Sequence, residues 1–161
     1  MAVEEQSGRI DAYIARETMV SAVINGVIGA LFFFAVFGTD GRVAVGHWGG
    51  YAFDFLPQSA AVALMACIVP GMIARRAQVA GRLGIHGRCP VTIQWLLRAA
   101  FVAVLSALTL GAAIAGLWLV SDIATLEWPT ALCIKIIYGA ALGAWVTRRV
   151  LRRIVRDAAL I

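Results

Sequence analysis

WPTALCIKIIYGAALGAWVTRRVLRRIVR, residues 128–156, is the stretch whose reading decides the fold. From Trp128 to Val146 it is almost wholly apolar, and at about 1.5 Å per residue this run covers roughly 28 Å, close to the hydrocarbon thickness of a bilayer. Thr147, Arg148 and Arg149 close it, and Arg152, Arg153 and Arg156 follow at helical spacing. The same stretch holds the only lysine of the chain, Lys135. It therefore reads as a membrane-crossing helix that ends in a basic tail.

Working outward, three more apolar runs qualify as spans: about residues 19–37, 56–74 and 99–120. The composition agrees, with 61% hydrophobic and 14% charged residues against about 45–50% and 25% in soluble domains. Mean hydropathy is +0.86. No linker rich in Pro, Ser or charge divides the 161 residues, so the expectation is a single all-α, integral membrane four-helix bundle.

The basic residues set the orientation. Arg9, Arg16, Arg75, Arg76, Arg82, Arg88, Arg98, Arg148, Arg149, Arg152, Arg153 and Arg156 all lie at one side of the spans, and Arg42 stands alone at the other. The positive-inside rule then puts both termini in the cytoplasm (N-in/C-in), with Asp40, Asp54, Asp122 and Glu127 external. A compact chain without eukaryotic targeting signals suits a bacterial inner membrane. A net charge of +5 concentrated at segment ends argues for anionic lipid headgroups as partners of Arg75, Arg76, Arg148, Arg149, Arg152, Arg153 and Arg156, and against nucleic acid.

Two amphipathic flanks continue the spans. Ile10, Tyr13 and Ile14 form a stripe that predicts a short interfacial helix before span one. Val150, Leu151, Ile154, Val155 and Ala158 form another, read as span four bending onto the membrane surface. The outer loop from Gly38 to Asp54 carries Trp48, Tyr51 and Phe53, aromatics suited to the interface. Pro57 opens span two, Pro70 should bend it, and Pro129 opens span four. GMIARR at 71–76 and AWVTRR at 144–149 match at a shift of 73 residues, which suggests a tandem repeat of helical hairpins. The short connection from Ser121 to Glu127 predicts that spans three and four are antiparallel neighbours.

Small residues recur every fourth position: Ala22, Gly26 and Ala30; Ser59, Ala63, Cys67 and Gly71; Ala99, Ala103, Ala107, Gly111 and Ala115; Ala131, Lys135, Gly139, Gly143 and Thr147. Such rows let helix backbones approach closely. Gly26, Gly71, Ala103, Ala107, Gly111, Gly139 and Gly143 are thus expected at helix contacts.

Lys135 lies within one of these rows. A charge at the centre of a span costs about 2.5–3.5 kcal/mol on the insertion scale, and such residues are functional candidates. Seven residues beyond Trp128, it lies roughly 10 Å below the outer interface, near enough for its stem to snorkel toward headgroups. No acidic residue occurs inside any span to pair with it or to couple protons. Lys135, Asn25, Gln58 and Ser59 are the tentative substrate or ion contacts.

Known chemistries find no footing. The sequence has no Gly-rich phosphate loop after a strand, no HExxH, no GxSxG and no CxxC pair, and both histidines, His47 and His86, lie in loops. No catalytic residue, metal or cofactor is expected. The remaining reading is a permease- or channel-like protein acting as an oligomer. Its alternative is a non-catalytic accessory or assembly subunit of a larger membrane complex.

Overall fold

A computed structural model describes residues 2–39, 41–80 and 91–159. Asp40 and residues 81–90, with Arg82, His86, Arg88 and Cys89, lie outside the described part. The chain is all-helical apart from two three-residue strands: α1 (Ala2–Phe37), β1 (Arg42–Ala44), α2 (Phe55–Val79), α3 (Ile93–Leu119), β2 (Thr125–Glu127) and α4 (Trp128–Ala159). All four helices are long and apolar enough to cross a membrane. The breaks fall where local chemistry puts them. Gly38 takes a φ of 73°, open to glycine, and its N–H returns to Phe34 O at 3.0 Å, ending α1. Thr92 caps α3 by accepting from Trp95 N at 3.1 Å. α2 continues through Pro70 to Val79.

The helices pack in an order the connections do not suggest. α1 lies along α4, α2 along α3, and α2 meets α4 in the middle, while among the described residues α3 and α4 barely touch. The expectation of spans three and four as packed neighbours is therefore wrong. The reason lies in the α1–α2 and α3–α4 connections: β1 and β2 pair antiparallel, Val43 opposite Leu126, so the short connection is spent on a strand instead of a tight helical turn. That strand carries the chain past α2 before α4 begins.

Both flanks also differ from the sequence reading. α1 is one helix of 36 residues, with no separate interfacial helix before the span. α4 likewise runs unbroken for 32 residues. Val150, Leu151, Ile154 and Ala158 are buried with Ile14, and Ile10 and Tyr13 pack on the same core. The two apolar stripes cover each other instead of lying on lipid, because antiparallel neighbours that extend by similar lengths bring their stripes face to face.

The core has two parts. An aliphatic cluster from Val62, Cys67, Leu142, Val146 and Ile154 fills the arginine-bearing half. Aromatic rings fill the other half, with Phe33, Tyr51 and Phe55 fully buried. Phe32 and Phe34 flank the buried Phe33 and remain exposed, as three consecutive helical residues must point three ways.

Candidate functional site: a sealed lysine–aspartate pair

Lys135 is fully buried, and its Nζ lies 2.9 Å from Asp54 Oδ2. This overturns the snorkelling reading: the ammonium stays inside the protein, and the loop residue Asp54 is its buried partner. Helical side chains lean toward the N-terminus of their helix, so the stem of Lys135 runs back toward the start of α4. Asp54 sits at the N-cap of α2, at that same end. The carboxylate does not cap its own helix; it faces the ammonium. A negative charge at a helix N-terminus is also favoured by the peptide dipoles behind it.

Aromatic faces close the site. The ammonium lies 3.7 Å from the centroid of Phe55 and 4.9 Å from that of Tyr51. Among the described residues no further hydrogen-bond acceptor reaches it, so ring quadrupoles take the place of water. Tyr51 is not an interfacial residue: its ring meets Phe33, Phe37, Phe55 and Trp118, and its hydroxyl donates to Ala131 O at 2.8 Å. Burial raises the Tyr51 phenol above its ordinary pKa, with Asp54 acting in the same sense, so the donor stays protonated. Trp48 and Phe53, stacked at 4.8 Å, remain on the rim of the loop, where Trp48 is exposed.

The other sequence candidates occupy two layers. Gln58 is buried in the lysine layer and donates to Lys135 O at 3.2 Å. Ser59, also buried, bonds to Phe55 O and lies 2.5 Å from the Tyr138 hydroxyl. Asn25 stands further along the bundle, where its Nδ2 donates to Ser21 O at 2.8 Å and Ser21 Oγ at 3.1 Å. Thr147 completes that second cluster by donating to Ser21 Oγ at 2.7 Å, with Ala66 O at 3.1 Å. Lys135, Gln58 and Ser59 are thus brought together, and Asn25 belongs elsewhere.

The glycines make this density possible. A Cβ at Gly111 would lie 2.5 Å from Ser59 Oγ, one at Gly139 would lie 2.9 Å from Asn25 O, and one at Gly143 would lie 2.5 Å from Asn25 Nδ2. At Gly71 it would meet Leu96 at 2.7 Å, whereas at Gly26 the nearest atom, on Ile136, is at an ordinary 3.5 Å. Ala107 is buried and Ala103 half-buried on the face of α3 toward α2. Arg75, Arg76, Arg148, Arg149, Arg152, Arg153 and Arg156 are all exposed.

Sequence reasoning missed Asp54, Tyr51, Phe55 and Gly29, whose added Cβ would lie 2.9 Å from Gln58 Nε2. A signal for Asp54 existed: it immediately precedes span two, within reach of a lysine whose stem points the same way. What the arrangement can do chemically is limited, since the ammonium has no exposed surface through which a solute could reach it and its carboxylate partner lies at contact distance. The class defined is a helical bundle with four potential membrane spans, locked at one end by a buried ion pair. Comparison with family models, curated proteins and solved structures finds no match to this chain.

Proposed function

We propose that this protein is a non-catalytic accessory or assembly subunit of a plasma-membrane complex, a bacterial inner membrane suiting its arginine pattern, with both termini in the cytoplasm. The observation that carries the reading is the sealed state of Lys135. The charge that would have marked a solute path is instead a strut joining α4 to the start of α2. Exposed Val, Leu, Ile and Phe side chains along every helix leave broad surface for lipid and for neighbouring subunits. The order of packing supports the repeat reading as well: exchanging α1 with α3 and α2 with α4 maps the contacts α1–α4 onto α3–α2 and leaves α2–α4 and β1–β2 in place. A pseudo-two-fold axis along the bundle has that property.

A permease-like role, as an oligomer, is the second reading. One observation favours it: a cleft of about 300 Å³ opens between α1 and α2 beside Asn25, whose buried Oδ1 has no hydrogen-bond partner. Complementation of a deletion strain separates the two. The accessory role expects Lys135→Met/Asp54→Asn to support growth if it folds, and wild-type protein to leave mild detergent in a hetero-complex. The permease role expects a homo-oligomer and loss of complementation in Asn25→Leu. Orientation is checked by reporter fusions: after Ala77 and at the C-terminus they should report cytoplasm, and after Gly46 the outside. An external C-terminus would sink the proposed orientation.

A further inference from the structure

α3 and α4 separate from each other because α2 lies between them, and the gap becomes a groove at the arginine-bearing end. Its floor is apolar, from Val102, Ala103, Val146 and Val150, and it encloses about 100 Å³. Trp95 on one side and Trp145 on the other form its walls. An arginine lies over each ring: the guanidinium of Arg153 is 5.7 Å from the Trp95 centroid, and that of Arg149 is 5.4 Å from the Trp145 centroid. Two wider depressions share these walls, one of about 340 Å³ reaching Arg98 and one of about 480 Å³ reaching Arg148, Arg152 and Arg156.

The charge at the mouth is unbalanced. Asp157 is the acidic group there: it accepts from Trp95 Nε1 at 3.2 Å and lies 3.8 Å from Arg153 and 4.0 Å from Arg156. Its contacts fix Trp95 and Arg153 in place and neutralise one charge, while Arg98 and Arg149 have no carboxylate partner among the described residues. From Trp95 to Ser106 the groove climbs about 16 Å along α3. It thus joins a cationic, tryptophan-lined rim of the kind found at headgroup depth to an apolar channel leading toward the bilayer centre.

We propose that this groove is a binding site for one anionic glycerophospholipid, with the phosphate held by Arg149, Arg153 and Arg98 and an acyl chain lying along Val102, Ala103 and Val146. The inference rests on the membrane placement proposed above. Guanidinium suits this phosphate because its planar donors pair with two oxygens at once, and the neighbouring tryptophan ring restrains where each cation lies. A second copy of the chain is the wrong occupant. It would bring the same arginines against these, and a helix of about 10 Å diameter does not enter so narrow a floor.

The test uses detergent-purified protein titrated with phosphatidylglycerol, phosphatidylcholine or inorganic phosphate, reading the rise in Tm with concentration. Phosphatidylglycerol should act at a concentration about tenfold lower than phosphatidylcholine, and inorganic phosphate should give no comparable rise. Arg149→Gln, which breaks no ion pair, should weaken the phosphatidylglycerol response about fivefold, and Arg149→Gln/Arg153→Gln at least about tenfold. Arg75→Gln/Arg76→Gln, basic but outside the groove, should match wild type. Equal response to both lipids, equal loss in the control pair, or a full response to phosphate alone would each overturn the groove. Alkaline carbonate washing of membranes separates this from the underlying reading: release of the protein sinks the membrane placement itself, whereas a retained protein indifferent to lipid charge sinks only the groove.

Discussion

The two ends of this bundle solve opposite problems. At one end the chain gathers an ammonium, a carboxylate and a shell of rings into a buried site, beneath a two-stranded ribbon that ties the loops together. At the arginine-bearing end the charges are exposed, guanidinium groups lie over the rings, and consecutive helices part to leave grooves. The difference follows from connectivity. The loops joining α1 to α2 and α3 to α4 lie at the same end, and their strands pair; at the other end, which holds the termini and the α2–α3 connection, no strands pair among the described residues. Where the chain is tied, it can exclude water from a charge; where it is not, charges must stay solvated or find lipid.

The largest expected effect breaks the end that holds the ion pair. Lys135→Met leaves Asp54 buried without its partner and should lower stability in detergent by about 3–5 kcal/mol. The double variant Lys135→Met/Asp54→Asn should recover most of that loss, since removing both charges also removes their desolvation cost. Thermal unfolding decides this, and an equal deficit in both proteins would mean that aromatic packing, and not charge pairing, holds this end.

Next comes the contact between α2 and α3, which joins the two halves. Gly111→Leu drives a side chain into Ser59 and the backbone at Phe55, and Ala107→Leu overfills a buried position. Each should cost about 1–3 kcal/mol or prevent assembly. Leu108→Ala, at a half-buried position beside them, should cost less. The yield of monodisperse protein is the measurement, and equal tolerance at all three would remove this contact as a determinant.

A smaller effect is expected at Thr147, in the neutral polar layer between the two ends. Thr147→Val removes its bonds to Ser21 and Ala66 and should cost about 0.6 kcal/mol, with roughly 1.7 as the upper limit. A loss as large as that of Lys135→Met would erase the distinction between a charged lock and a neutral layer. The smallest effect belongs to Arg42 and Glu127, an exposed pair at 3.2 Å across the ribbon. Arg42→Gln should change stability by less than about 1 kcal/mol, and less still in high salt, when unfolding is compared at two ionic strengths.

Much of this was legible in the residues. Four apolar runs of spanning length are a local property, so the helices follow from the sequence alone. The buried rows Ser59–Ala63–Cys67–Gly71 and Ala131–Lys135–Gly139–Gly143–Thr147 likewise follow from a four-residue period, because residues four apart share a helix face. The period also marked Lys135 as facing protein, which is why its charge required a partner.

The identity of that partner was a different kind of fact. Asp54 and Lys135 are separated in sequence by the whole of α2 and α3, and only the packing of α2 against α4 brings them to 2.9 Å. The sequence by itself determined how many helices form and which face of each must be covered, since hydrophobicity and helical period act over neighbouring residues. Which helix covers which face, that α4 lies between α1 and α2, that the terminal stripes cover each other, and that a loop aspartate turns inward to meet a lysine were decided by tertiary structure alone, because those choices depend on contacts between segments that no local spacing encodes.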